Sequence, residues 1–409
     1  MSRINENFLK LQNNYLFSTV ARKVEEFKRK NPKTKLINLG IGDVTQPLPK
    51  IVVEAMKNAC EELQNKETFR GYGPELGYDF LKKKIIQYDY IPKGISFDTD
   101  EVFISDGINC DICNISEIFD VSNKVAIPDP VYPAYLDTNV MAGRSGEFHI
   151  TNYENIVYLV SNCSNNFIPE IPKTKVDLIY LCYPNNPTGA VLTKIELKKW
   201  IDYAKENNSV ILFDSAYETY ITDKNVPHSI YEIDGAKDVA IEFKSFSKSA
   251  GFTGVRCAYT IIPKELYGYT KGKEKIKLND LWNRRQSTKF NGTSYITQRG
   301  AEATYLEEAQ KEIKQNIQYY LRNANLIKEG LSKAGIESYG AINSPYIWLK
   351  VPNDQNSWQF FNELLEKVNV VGLPGSGFGP NGEGYFRLTG YGDYQDSLEA
   401  IERINKKYT

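Results

Sequence analysis

The sequence predicts an α/β fold: a large domain built on a mostly parallel central sheet, and a smaller α+β domain beside it. Between residues 101 and 262, short β-rich runs alternate with amphipathic segments, a pattern that favours parallel strands covered by helices on both faces. After about residue 296 the character changes, and one long helical stretch gives way to strand, helix, glycine-rich loop and strand. The chain has 409 residues, enough for two or three domains at roughly 100–200 residues each.

Taken in order, an N-terminal helix is expected before Asn31-Pro32, packing with the C-terminal part. Strands are expected at 101–104, 124–127, 177–182, 209–213, 239–243 and 255–262. Helical segments separate several of them. In the segment from Lys194 to Glu206, Ile195, Leu197, Trp200, Ile201 and Ala204 keep a helical period. The C-terminal part predicts a helical stretch from about 296 to 334, a strand at 346–350 and a helix at 357–367. A glycine-rich loop at 374–384, a strand at 385–388 and a last helix complete it. The expected boundaries are 44–305 for the large domain, with 1–43 and 306–409 together forming the small one. No internal repeat or low-complexity segment interrupts this reading.

Composition narrows the function classes. Hydrophobic residues make up 41% and charged residues 25%, a balance that permits a sizeable core and argues against disorder. Fifty basic against 51 acidic residues leave a net charge of −1 with no long run of one sign, so nothing points to nucleic acid or an anionic membrane. The start, Met1 to Glu6, lacks the apolar region of a secretory signal. No apolar run approaches the roughly 18 residues of a membrane span, and the expectation is a soluble cytoplasmic protein. Six cysteines are no disulfide framework in a chain of this length, and His149 and His228 are too few for a His-rich site, so no metal is expected. Cys110 and Cys113 have C-x-x-C spacing, which suits either a redox pair or two small core residues one helical turn apart; no second cysteine pair follows.

Ligands of an open α/β sheet sit at the carboxyl ends of its strands, and four polar clusters fall there. They are Ser105-Asp106-Gly107-Ile108-Asn109, Tyr183 to Gly189, Asp214-Ser215-Ala216-Tyr217, and Lys244 to Gly251 with Lys248 inside it. Singly, each has an ordinary reading as a turn, a helix cap or a solvated loop. Gly107, Ile108 and Asn109 open a helix whose free N–H groups favour an anion, and Ser245 and Ser247 offer hydroxyls.

Together and in this order the clusters resemble the fold-type I aminotransferases of class I and II, which use pyridoxal 5′-phosphate (PLP). The resemblance implies that Lys248 anchors the cofactor covalently and moves the proton at the substrate's α-carbon. It implies that Asp214 keeps the pyridine nitrogen protonated, which strengthens the ring as an electron sink. Asn186 and Tyr217 would donate to the phenolic oxygen, and Tyr132 would stack on the ring. Arg256, eight residues past Lys248, stands where the family keeps its phosphate arginine. Arg387, in Tyr385-Phe386-Arg387-Leu388-Thr389, matches the arginine that clamps the substrate's α-carboxylate.

Further motifs are similar to those of LL-diaminopimelate aminotransferases along nearly the whole chain. They are Asn38-Leu39-Gly40-Ile41-Gly42-Asp43, Gly71-Tyr72-Gly73-Pro74-Glu75, Ser247 to Arg256, Thr288-Lys289-Phe290-Asn291-Gly292, and Pro374 to Pro380. That family implies a homodimer with shared sites. Tyr72 then reaches the partner's cofactor phosphate, and Tyr15, Glu75 and Asn291 line the distal end of the partner's pocket. Substrate contacts would come from Tyr15, Gly42, Glu75, Asn109, Tyr132, Asn186, Asn291 and Arg387. Glu75 suits a distal ammonium, although a charge in a turn near a helix start has the same appearance. Asn109 departs from the family's usual Ser-Asp-Gly-Ala-Lys, which removes a positive charge beside the phosphate and substrate. The implied reaction moves an amino group from glutamate to tetrahydrodipicolinate, giving LL-diaminopimelate and 2-oxoglutarate in lysine biosynthesis. The alternatives are a same-fold aminotransferase for aspartate, aromatic or other amino acids, and a PLP-binding protein without turnover.

Overall fold

The computed structural model describes residues 2–12, 15–40 and 42–408. Met1 and Ile41, which enter the N-terminal readings above, lie outside them. Seven strands form the central sheet in the order 102–105, 258–261, 240–245, 210–214, 178–182, 125–129 and 156–160. Only Ala258–Ile261 runs against its neighbours; the remaining pairs are parallel. Every residue of Leu178–Cys182 and of Val210–Asp214 is buried, as a sheet covered on both faces requires. Side chains alternate accordingly. Ile179, Leu181, Ile211 and Phe213 enter one core, while Leu178, Tyr180, Cys182, Val210 and Leu212 enter the other.

A second sheet of four antiparallel strands, 338–340, 346–350, 385–389 and 373–374, carries its own core of Ile347, Trp348, Leu349, Phe386 and Leu388. The N-terminal helix Leu16–Lys30 adds Leu16 and Val20 to that core. Ile37–Asn38 pairs in parallel with Val370–Val371, so the start of the chain is hydrogen-bonded to its C-terminal part.

Three details differ from the sequence reading. The helical stretch after 296 is two helices, Tyr295–Ala303 and Glu307–Lys333. The first packs on Lys50–Glu62 and the second on Tyr394–Tyr408, so one straight axis cannot serve both. At the break, Thr304 Oγ1 donates to Ala301 O at 2.6 Å and Tyr305 Oη donates to Asp89 Oδ2 at 2.7 Å. The edge strand Ile156–Val160 is additional to the six expected; its run Ile-Val-Tyr-Leu-Val is rich in β-branched residues. The 357–367 helix is α-helical over Ser357–Glu363 and widens into a π turn over Leu364–Val368.

Cys110 and Cys113 lie on the helix Ile108–Asn114 and are unbridged. Burial pushes their thiols up to about 12 and about 11, the reverse of the depressed values that make a redox pair reactive.

Gly330, on Glu307–Lys333, packs tightly against the last helix: a Cβ built there would lie 2.0 Å from Ile401 Cγ2. Helix propensity favours Gly330→Ala by about 1 kcal/mol, whereas overpacking of this kind costs about 1–3 kcal/mol. Gly330→Ala is therefore expected to lower the melting temperature, and a rise in a thermal melt would show that the two helices separate freely there.

Candidate active site

The carboxyl ends of the large sheet and one end of the small sheet enclose a cavity of about 430 Å³. Gly42, Ile108, Asn109, Tyr132, Asn186, Asp214, Tyr217, Ser245, Ser247, Lys248, Arg256 and Arg387 line it, all of them singled out from sequence. The strand register explains part of this convergence: Cys182 pairs with Asp214 and Asp214 with Phe243, so the residues that follow each strand emerge side by side. Just behind the strand ends, Lys244 Nζ pairs with Glu218 Oε1 at 3.3 Å, which ties the segment after Asp214 to the one carrying Lys248.

Asp214 ends its strand with both carboxylate oxygens held. Ala216 N donates to Oδ1 at 2.9 Å and Tyr135 Oη donates to Oδ2 at 2.6 Å. Burial pushes this carboxyl up to about 6, with the Tyr135 and Ala216 bonds opposing the rise. No cation of the described residues pairs with it. It is therefore a mostly ionised, desolvated acid that lacks a counter-charge within the chain.

Lys248 sits in the short helix Phe246–Ala250, which Ser245 caps by accepting from Ser247 N at 3.0 Å. Its amine donates to Gly42 O and lies 5.3 Å from the Tyr391 ring centre. Burial lowers its pKa to about 8; Asp43 opposes this, and the Arg387 and Arg256 charges add to it. Near pH 8 a substantial fraction is thus the uncharged, nucleophilic amine.

Ser245, Ser247 and Arg256 all line the cavity. Arg256 adopts a left-handed backbone, φ 70°, and donates from Nη1 to Thr253 O at 3.0 Å. Such a conformation is costly for a non-glycine residue and is kept where it aims a side chain. Gly107, φ 137°, lets the backbone come against that guanidinium, since a Cβ there would lie 2.0 Å from Arg256 Nη2. Hydroxyls and a guanidinium are thus available to an anionic group on a ligand.

Arg387 reaches in from the small sheet and is 1% exposed. It donates from Nη1 to Asn186 Oδ1 at 2.7 Å and from Nη2 to Gly40 O at 3.2 Å, and lies 4.6 Å and 5.0 Å from the Tyr346 and Phe378 ring centres. Its Nε has no hydrogen-bond partner, and among the described residues no carboxylate forms a salt bridge with it. Asn186 Nδ2 donates to Tyr217 Oη at 3.4 Å, and Tyr346 Oη donates to the same oxygen at 2.7 Å. Tyr132 donates to Asn109 Oδ1 at 3.2 Å and packs edge-on to Tyr135.

Four expected residues, Tyr15, Tyr72, Glu75 and Asn291, do not line the cavity of a single chain. Tyr72 is 93% exposed, and Glu75 and Asn291 are also exposed. The segments carrying Glu75 and Asn291 lie close together, for a Cβ at Gly292 would be 3.5 Å from Glu75 Cα. Tyr15 is 42% exposed at the start of its helix and hydrogen-bonds Tyr132. Sequence reasoning missed Phe17, Asp43, Tyr135 and Tyr346 as cavity residues. Tyr135 lies three residues past Tyr132 and carried a signal by proximity; Tyr346 opens an expected strand, and nothing in that pattern marks a cavity residue.

Comparison with known proteins follows the same lines. Residues 34–404 match the family Aminotransferase class I and II. The chain is 58% identical over 406 residues to the LL-diaminopimelate aminotransferase of Phocaeicola vulgatus, covering 99% of each. It is 56% identical over 405 residues to the enzyme of that name from Methanosphaera stadtmanae, covering 99% of this chain and 98% of the other. Among solved structures, L,L-diaminopimelate aminotransferase from Chlamydomonas reinhardtii superposes with a TM-score of 0.93 at 42% identity, covering 100% of this chain and 99% of that one. With a match over most of its length, and relatives above half identity end to end, this chain is an enzyme of the class I and II aminotransferase family.

Proposed function

We propose that this chain is a PLP-dependent aminotransferase that exchanges an amino group between LL-diaminopimelate and 2-oxoglutarate, in the cytoplasm and as a homodimer. One observation carries the chemistry. A single cavity holds an amine whose pKa is lowered to about 8, a buried carboxylate without a cation, and a buried guanidinium without an anion. Each lacks a partner that PLP or an amino acid would bring. The identity of 56–58% over full length to enzymes named for diaminopimelate carries the choice of substrate.

The residues present fit the cofactor. Asp214 suits a protonated ring nitrogen, and Asn186 and Tyr217 offer donors for the phenolic oxygen. Ser245, Ser247, Arg256 and the backbone of Gly107, Ile108 and Asn109 suit a phosphate, with the Gly107–Arg256 approach leaving no room for a side chain. Tyr132 lines the same cavity and supplies an aromatic ring for stacking. When bound, PLP supplies the electron sink that makes the proton on the amino-bearing carbon labile.

The chain's own groups do the rest. Arg387 binds the α-carboxylate and fixes the orientation of the carbon next to it. Lys248 Nζ, largely uncharged above pH 8, takes and returns the proton. Phe17 and Tyr132, apolar surface at the cavity wall, keep water off the reacting centre. The surface residues Tyr72, Glu75 and Asn291, with Tyr15, complete the partner's site, Glu75 facing the distal ammonium. The proposed division is 44–305 for the large domain, with 1–43 and 306–409 for the small one.

On the cofactor-free chain, modification of Lys248 by an amine-directed acylating reagent should be half-maximal near pH 8 by mass spectrometry. Ordinary lysines should follow about two pH units higher, near 10.4. A Lys248 midpoint among the others would remove the nucleophile from this account.

With PLP and 2-oxoglutarate supplied, LL-diaminopimelate should exceed aspartate and phenylalanine as amino donor in kcat/KM. Glu75→Gln should lower that value by about 5- to 150-fold (roughly 1–3 kcal/mol), while glutamate changes much less. A better value for aspartate or phenylalanine in the unaltered enzyme would assign another substrate within the family.

A further inference from the structure

We propose that Tyr346 is a positioning residue that couples Arg387 to Tyr217, so that an anion arriving on the guanidinium changes how strongly Tyr217 donates into the cavity. The inference rests on the reading of Tyr217 as a donor to PLP and of Arg387 as a carboxylate clamp.

Tyr346 is 1% exposed and opens the strand Tyr346–Lys350, hydrogen-bonded to the strand that carries Arg387. Its hydroxyl crosses to the large sheet, donating to Tyr217 at 2.7 Å with the two rings edge to face, 5.0 Å apart at 71°. A tyrosine hydroxyl has one proton to give and two lone pairs to fill. At Tyr217 the Tyr346 O–H and the Asn186 N–H occupy both lone pairs, which leaves the Tyr217 proton for the cavity that this residue lines.

The direction of the Asn186 amide is fixed in turn. A guanidinium only donates, so Arg387 Nη1 claims Asn186 Oδ1 at 2.7 Å and turns the amide N–H toward Tyr217. The circuit closes because the same guanidinium lies 4.6 Å from the Tyr346 ring centre, where a cation polarises the ring. Arg387, Asn186, Tyr217 and Tyr346 thus form a closed loop of contacts. A carboxylate on Arg387 weakens the pull of the cation on both neighbours, and hydrogen bonds in series pass such a change along.

Tyr346→Phe keeps the ring and removes the bond to Tyr217; Tyr346→Leu removes both contacts. Three quantities are measured on each purified chain: the dissociation constant for PLP, the pH midpoint of the bound cofactor's visible band with and without glutarate, and the dissociation constant for glutarate. For Tyr346→Phe we expect PLP binding weakened about three- to tenfold, as for loss of one hydrogen bond, and glutarate affinity held within about twofold. Its band midpoint should rise, because a weaker donor stabilises the ionised phenolic oxygen less, and the shift that glutarate causes should shrink. Tyr346→Leu should also lose glutarate affinity. In a Tyr217→Phe background, Tyr346→Phe should not move the midpoint further. An unchanged midpoint and glutarate shift in Tyr346→Phe would overturn the coupling, as would a further shift in the Tyr217→Phe background. An unaltered chain that bound no PLP would instead overturn the proposed function.

Discussion

The guanidinium of Arg387 is buried to 1% exposure and meets no carboxylate among the described residues. Withdrawing such an ion from water costs several kcal/mol even after the surroundings relax. Two carbonyl oxygens and two aromatic rings offset part of that cost, and Nε is left without a partner. The other parts of the site are arranged around this uncompensated charge. The small sheet supplies the strand on which Arg387 stands, and the large sheet supplies the edge it faces. Gly40, next to the segment that pairs with Val370–Val371, brings the N-terminal part of the chain under the same guanidinium.

Across the cavity the situation is mirrored. Asp214 is a desolvated acid with neutral donors and no cation, and Lys248 is an amine whose burial favours its uncharged form. A protein evolving only toward stability would pair such charges with one another or replace them by apolar groups. Here they stay unpaired on strands whose register is fixed, and Arg256 adds a left-handed backbone. Two unpaired buried charges and one left-handed backbone residue coincide at this cavity, as a functional site is expected to carry them.

Much of this was legible from the sequence because the chemistry lies at strand ends. Asp214, Asn186, Lys248 and the 105–109 cluster each follow a short apolar run, and the cavity contains a representative of every cluster. Local patterning failed where tertiary contacts decide. The 295–333 stretch keeps a helical period through Thr304, and only the different partners of its two halves explain the break. Tyr346 read as a sheet residue because its position in a strand says nothing about the hydroxyl that reaches 2.7 Å from Tyr217. Tyr72, Glu75 and Asn291 were identified by motif alone. In one chain they lie on the surface, so geometry within the monomer gives them no role.

The central claim is that Arg387 is kept buried to receive an anion from a ligand. The most direct test is the unfolding free energy of the cofactor-free chain, by urea titration, with and without glutarate, compared with Arg387→Met. Saturation at a hundredfold excess over the dissociation constant should stabilise the unaltered chain by about 2.7 kcal/mol, and the variant should gain nothing. An equal gain in both chains would mean that the carboxylate binds elsewhere and that the buried guanidinium serves the fold alone.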